Sequence, residues 1–276
     1  MKNLPIQLAR PASAQLSTLG SLALGVVVLA ALVGPARAWT PESQQVIAEQ
    51  GARLAPPDLY RQIVRNRESY FVGVMDPFRT PLADHAKNPD GSGRLDAAIE
   101  QAVDNTVRSI ELHRPFNEVC YRLGVVAHYL ADANDPLQTD TSDPHEASYA
   151  DDFRRYLERT LPRLSVVFYG FRPGYRGRRD LPALIADSLR RTRANYPFVG
   201  REYRRIGYGS GVRTFDDRST AYAVASLSLS HAVSDIAEVF RGIWIEAGGI
   251  DSRPVVPIRG RDQVYVIPTS PDPPAR

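Results

Sequence analysis

His128-Tyr-Leu-Ala-Asp132-Ala-Asn-Asp-Pro-Leu-Gln138 is the stretch on which the reading of the chain turns. It closes an apolar run that begins at Val119 and has the length of a helix, and it stops at the helix-unfriendly Asn134-Asp135-Pro136. His128 and Asp132 are four positions apart, so on a helix they share one face, one turn apart. A neutral imidazole and a carboxylate meeting there can hold a divalent metal, zinc above all. The same pair can also form a plain buried hydrogen bond, which is the commoner fate of an isolated His-x-x-x-Asp. The rest of the chain bears on the choice.

The first 38 residues read as a signal peptide. Lys2 and Arg10 make a basic start, an apolar core runs from Leu19 to Val33, and Ala36-Arg-Ala38 fits the small-x-small cleavage rule. A retained membrane anchor is the alternative, against which Ser17, Thr18 and Ser21 dilute the start of the apolar core. The expectation is export, to the periplasm or beyond, with Trp39 as the new N-terminus. Of the 34 basic residues, Lys2, Arg10 and Arg37 lie in the leader with no acid beside them, so the mature chain holds 31 residues of each sign. The sequence pI of 9.0 therefore owes much to the leader and gives no argument for nucleic acid as a partner. A single cysteine, Cys120, allows no internal disulfide in an exported chain and reads as a buried small hydrophobe. A bound metal is then one alternative source of rigidity.

Beyond the leader the spacing is helical almost throughout. Thr40-Pro41-Glu42 is a helix start with a capping hydroxyl and a proline in the first turn; Val46, Ile47, Ala48 and Leu54 supply its apolar face. A second helix is expected from Asp58 into Tyr70, with Leu59, Ile63 and Val64 inward, then a turn from Phe71 to the carboxylate of Asp76. Asp84-His85 falls in a polar loop. Further helices are expected over 94–112, 117–132, from His145 through Leu157, over 181–196 and over 218–245. Residues 165–180 read as a loop, with no convincing strand before residue 252. Residues 251–276 hold six prolines and one short apolar run, Val264-Tyr-Val-Ile267, and read as an extended or disordered tail. Residues 39–250 are thus expected to form a single-domain, all-α, multi-helix bundle of six to eight helices.

Four segments together carry a resemblance: Trp39-x-x-x-Ser-x-x-Val-Ile-Ala48, Leu54-Ala-Pro-Pro-Asp-Leu59, the central His-Tyr-Leu-x-Asp-x-x-x-Pro-Leu, and Phe240-Arg-Gly-Ile-Trp244. Over residues 39–245 the chain resembles the bacterial zinc-dependent phospholipase C family, whose fold is shared with single-strand-specific zinc nucleases. The resemblance implies an exported metal-dependent phosphodiester hydrolase, acting on a phospholipid headgroup or another phosphodiester and touching a membrane surface. A nuclease of the same fold, and a non-catalytic relative keeping one structural zinc, stand as alternatives. Nucleic acid is not the expected partner, because the Asn-Leu-His-x-x-Trp-Asp segment of the nuclease branch is missing.

That family holds three metal ions. The resemblance implies a first ion on Asp76, His85, His128 and Asp132, with Asp76 also positioning or deprotonating the attacking water. It implies a second ion on the α-amine and carbonyl of Trp39 with Asp132 as bridge, and His145 as a ligand of a third. The chain departs from the pattern at three places. Gln44 (or Gln45) stands where the second ion would take a histidine, Gln138 where the third would take one, and Ala150 where it would take a carboxylate. One zinc site is therefore expected, and up to three if neighbouring groups such as Asp151 and Asp152 substitute. Asp135, Asp140 and Asp143 read as a solvated loop, His113 as a helix cap and His231 as a hydrogen-bonded core residue. Ten arginines between 172 and 205 against three acids, with Tyr175, Tyr196 and Tyr203 among them, suit a solvated basic face first and phosphate contact second.

Overall fold

The computed structural model describes residues 39–251 and the backbone of 264–266. The leader over 1–38 and its cleavage site lie outside the described residues. So does the tail reading, apart from Val264–Val266.

Ten α-helices are present among the described residues: α1 (Pro41–Arg53), α2 (Pro57–Arg65), α3 (Arg67–Met75), α4 (Leu95–Glu111), α5 (Phe116–Ala133), α6 (Pro136–Thr139), α7 (Glu146–Thr160), α8 (Leu181–Arg205), α9 (Gly211–Thr214) and α10 (Thr220–Glu246). Eight of them have nine residues or more, and the architecture is all-α. α1 begins as its sequence dictates: the Thr40 side chain accepts from Ser43 N, and Pro41 fills the first turn. None of these helices is long and apolar enough to cross a membrane.

Four expectations are corrected. The helix expected from Asp58 is two helices, because Asn66 leaves helical backbone (φ −116°, ψ 34°) and turns its side-chain amide back onto Gln62 O at 2.9 Å. The second of them, α3, runs through the stretch expected to be a turn, and Val64 and Val46 face solvent. α8 does not end at Pro197 but continues to Arg205. A proline inside a helix costs about 3 kcal/mol; here α7 grips both sides of it, Tyr196 donating to Glu146 at 2.6 Å and Tyr203 to Asp152 at 2.9 Å. Lastly, Val166–Phe168 is a strand, β1, inside the expected loop, paired in parallel with β2 (Val264–Val266). Its neighbourhood is held by α10 serines: Ser230 Oγ accepts from Val167 N and Ser234 Oγ from Tyr169 N.

α5 is the axis of the domain. Val119, Leu123, Val126, Ala127 and Leu130 are fully buried on it. Cys120 is buried there too, and desolvation pushes its thiol up to about 12, as befits an inert core residue. α3 lies against α5 backbone to backbone, with Gly73 facing Tyr121 and Gly124 facing Tyr70. The N-terminal segment is pinned to the same helix: the buried Trp39 donates from Nε1 to Ala131 O at 3.0 Å. Two segments quoted above meet at the other end, where Trp244 Nε1 donates to Asp58 Oδ2 at 3.0 Å.

Candidate metal centre

The last turn of α5 presents His128 and Asp132 on one face, as their spacing requires, and a short 3-10 turn (Leu82–His85) delivers His85 to them. His85 is 2% exposed, His128 1% and Asp132 4%. The His85 loop is fixed from behind: Lys87 N donates to Gln138 O at 3.0 Å, and Arg193 on α8 donates to Lys87 O at 2.8 Å and Thr139 O at 3.0 Å.

Backbone carbonyls decide the protonation of both rings. His128 Nδ1 lies 2.7 Å from Val74 O, the carbonyl at the end of α3. A carbonyl only accepts, so Nδ1 carries the proton and Nε2 of the neutral ring is a bare lone pair. His85 Nε2 lies 2.8 Å from Pro77 O and 3.0 Å from Thr80 Oγ1, while that hydroxyl itself donates to Pro77 O. By the same reasoning His85 Nδ1 is bare. The two bare nitrogens and Asp132 Oδ2 converge: 2.7 Å from His85 Nδ1 to Asp132 Oδ2, and 3.3 Å from His128 Nε2 to each of the other two atoms. Three acceptors facing one another in a buried site repel unless a cation lies among them, either a proton added to a ring or a metal ion. Among the described residues they form a group whose ligand atoms all lie within 4.8 Å of one another.

The donor set fits zinc. Two imidazole nitrogens and a carboxylate oxygen are its ordinary ligands, and zinc–nitrogen bonds of 2.0–2.1 Å in a tetrahedron set ligand atoms roughly 3.3 Å apart. Two of the three separations have that length, and the third is the length of an N–H···O contact. Carbonyl partners on the far nitrogens are the usual means by which metal-binding histidines are oriented. Phe78 closes over His128, its ring centroid 4.8 Å away.

The remaining expected site residues lie elsewhere. Asp76, just past α3, is not in the group of three: Tyr121 donates to its Oδ2 at 2.6 Å, Arg79 pairs with Oδ1 at 3.5 Å, and its side chain is 40% exposed. Trp39 sits beside the centre through its side-chain bond to Ala131 O. Gln44 meets Asp132 directly, donating from Nε2 to Oδ1 at 2.8 Å, while its own Oε1 is buried with no partner among the described residues. An amide thus takes the carboxylate oxygen left over from the histidines. His145 is exposed, at the N-terminus of α7, with its ring against Tyr208. Asp152 is bound by Tyr203, Ser210 and Val212 N, and Asp151 by Arg154; Ala150 is in the core. His113 takes a left-handed backbone after α4 and its N–H closes on Ile110 O. Compared with known proteins, the chain matches no protein-family model and no curated protein.

One acid departs from what its polar neighbours suggest. Asp135 is not solvated but fully buried, capping α6 through Oδ1 (3.0 Å from Leu137 N), with Oδ2 unpartnered among the described residues. Burial, and then the neighbouring Asp132 charge, push its carboxyl well above the ordinary value. Asp132 goes the other way. Burial alone would raise it, but without a metal the cation among the three acceptors is a proton on His128 or His85, and the positive, donating ring outweighs burial and holds Asp132 below the ordinary value. The linkage signs follow. Asp132 contributes stability that is present above its unfolded pKa of about 3.9 and lost as pH falls through its folded value. Asp135 is a liability that appears as pH rises above about 3.9. Asp135→Asn, which keeps a cap acceptor, is therefore expected to stabilise the metal-free protein by ~1 kcal/mol at pH 7 and to give no gain at pH 4. Urea unfolding at the two pH values measures it; equal stability at pH 7 would mean the carboxylate is satisfied.

Proposed function

We propose that this chain is an exported, metal-dependent phosphodiester hydrolase with one zinc ion, held by His85, His128 and Asp132, and that its substrate is a phospholipid headgroup or a related diester. The convergence of three lone pairs, fixed by Val74 O and Pro77 O, carries the metal part of the proposal. The substrate class rests on the resemblance to zinc-dependent phospholipases C. Three protein ligands, rather than four, leave a coordination position for water or substrate. When bound, the zinc would supply Lewis acidity toward a phosphoryl oxygen and lower the pKa of water.

The chain's own groups have distinct parts in this scheme. Asp76 is the acceptor for a water proton. Tyr121 orients it: burial, and then the Asp76 carboxylate, push that hydroxyl up to about 12, so it stays protonated and keeps donating. Gln44 fixes the Asp132 carboxylate plane, leaving Oδ2 to face the histidines.

A structural role for the metal is the second reading. It is favoured by the burial of all three ligands and by the amide already seated on Asp132 Oδ1. Metal analysis of the chain purified with Trp39 as N-terminus, together with release of headgroup from phosphatidylcholine, separates the two. The hydrolase is expected to carry one zinc per chain and to turn over, with activity lost on chelation and at least 100-fold lower in Asp76→Asn. One zinc without turnover would establish the structural role. No metal at all would leave His85–Asp132–His128 a proton-held core cluster.

A further inference from the structure

Next to the Asn134 turn, whose side-chain amide donates to Asp235 Oδ2 at 3.0 Å, α8, α10 and the loop after β1 enclose a cleft of about 330 Å³ that shares no residue with the metal centre. Among the described residues it is lined by Tyr169, Phe171, Arg172, Arg191, His231 and Asp235, together with neighbouring loop and α10 positions. His231 is here a correction to the sequence reading. It is half-buried, its ring rests on Tyr169 (4.9 Å between centroids), and neither ring nitrogen makes a hydrogen bond among the described residues.

We propose that this cleft is a binding site for a phosphate group, free or carried by a small molecule, with Arg172, Arg191 and His231 as its donors.

The choice of ligand follows from which donors are already used. Arg191 gives one terminal nitrogen to Asp235, at 2.8 and 3.2 Å, but its Nε–H is buried and has no partner among the described residues. Arg172 lies 3.4 Å from Asp187 and 3.7 Å from Asp235, and donates a side-chain hydrogen bond to neither. A guanidinium fork held close to its counter-ions yet left without hydrogen bonds suits an incoming oxyanion. The cleft also contains two carboxylates, both occupied. Asp235 Oδ2 accepts from Asn134, Ser188 and Arg191; Glu238 Oε2 accepts from Arg172 N at 2.5 Å, and its Oε1 from Arg241 at 3.4 Å. Burial, and then Arg191, hold His231 below its ordinary pKa, so at neutral pH it is uncharged and offers one N–H. Three separate donors around one cavity match the three free oxygens of a phosphate monoester better than the two of a carboxylate. The loop is held in place before any ligand arrives, since Arg172 N is fixed on Glu238 and Phe171 is covered by Arg241 at 4.9 Å. Of the ten arginines between 172 and 205, Arg178 is committed to Glu246, Glu111 and Asp104 and Arg193 to two carbonyls, whereas Arg172 and Arg191 line one cleft together with His231, and it is this convergence rather than charge that singles the pair out.

Calorimetric titration of the full mature chain with inorganic phosphate, in chelator, tests the site. Saturable binding is expected, unchanged in His128→Ala, weakened at least ten-fold in Arg172→Gln and only partly restored in Arg172→Lys, which keeps the charge and loses the fork. His231→Gln gives a second, independent variant and should weaken binding several-fold. Cosedimentation with phosphatidic acid vesicles tells the sources apart: Arg172-dependent pelleting assigns the site to a lipid headgroup, and its absence to a soluble phosphate. No saturable binding by the wild type, or equal affinities in wild type, Arg172→Gln and His231→Gln, would overturn the proposal. Binding seen only in the absence of chelator, and lost in His128→Ala, would return the phosphate to the metal centre.

Discussion

Replacing His128 with alanine is expected to empty the metal centre and to lower the melting temperature by roughly 8–16 °C in zinc-containing buffer. Binding to the folded state alone stabilises by about 4 kcal/mol when free metal is a thousand times its dissociation constant. For a domain of this size each kcal/mol shifts the midpoint by roughly 2–4 °C. Removing the ring also strips Val74 O of its partner and opens a cavity beside Phe78, so a smaller loss would persist in metal-free protein. The diagnostic quantity is the difference: chelator should cost the wild type most of the shift and cost His128→Ala almost nothing. Calorimetric melting with and without chelator, read beside metal content per chain, measures it. If chelator left the wild-type midpoint unmoved and no metal were found, the three lone pairs would have to be reconciled by a proton on His85 or His128 instead.

What can be read from the sequence about this centre is the part that depends on helical spacing. His128 and Asp132 belong together because four residues make one turn, and the helix around them is plain from the apolar run between Val119 and Leu130. The resemblance adds His85, which no local pattern could join to partners more than forty residues away. Hidden are the contacts that give the group its character. Nothing in the spacing shows that Val74 O and Pro77 O take a proton from each ring, or that Gln44 closes on Asp132. These are backbone and amide contacts between distant elements, and they leave no periodic trace. The same holds for the fold. The long helices can be recognised because their buried stripes recur with helical period, whereas the break at Asn66 is made by one side-chain amide, and the passage of α8 through Pro197 by two tyrosines reaching for α7. Asp135 shows the opposite failure: polar neighbours suggest water around a carboxyl that has none.

The second large effect is expected at a residue with no functional group. In Gly124→Ala the new Cβ would lie 2.7 Å from Val74 N and 2.9 Å from the Gly73 carbonyl carbon, and closer still to Tyr70 O. All three are backbone atoms of α3, so no side chain can swing aside, and α3 and α5 must separate. Overpacking a core typically costs 1–3 kcal/mol, and a backbone collision belongs at the upper end: about 3 kcal/mol, or roughly 6–12 °C in the melting temperature. The damage should not stop at stability, because the peptide pushed away belongs to Val74, whose carbonyl holds His128 Nδ1 at 2.7 Å. Disturbing such a partner of a metal-binding histidine typically weakens metal binding 10–100-fold. Gly91→Ala is the control. Gly91 lies in the left-handed region (φ 88°), but a Cβ there meets nothing within 4 Å, so its cost should be local strain of about 1–2 kcal/mol with zinc affinity untouched. Chelator-competition titrations and melting curves on the two variants read both quantities. A Gly124→Ala protein that melts like the wild type would refute the close α3–α5 contact. One that is destabilised yet binds zinc with full affinity would uncouple the helix crossing from the metal centre, and would mean that His128 keeps its orientation without Val74.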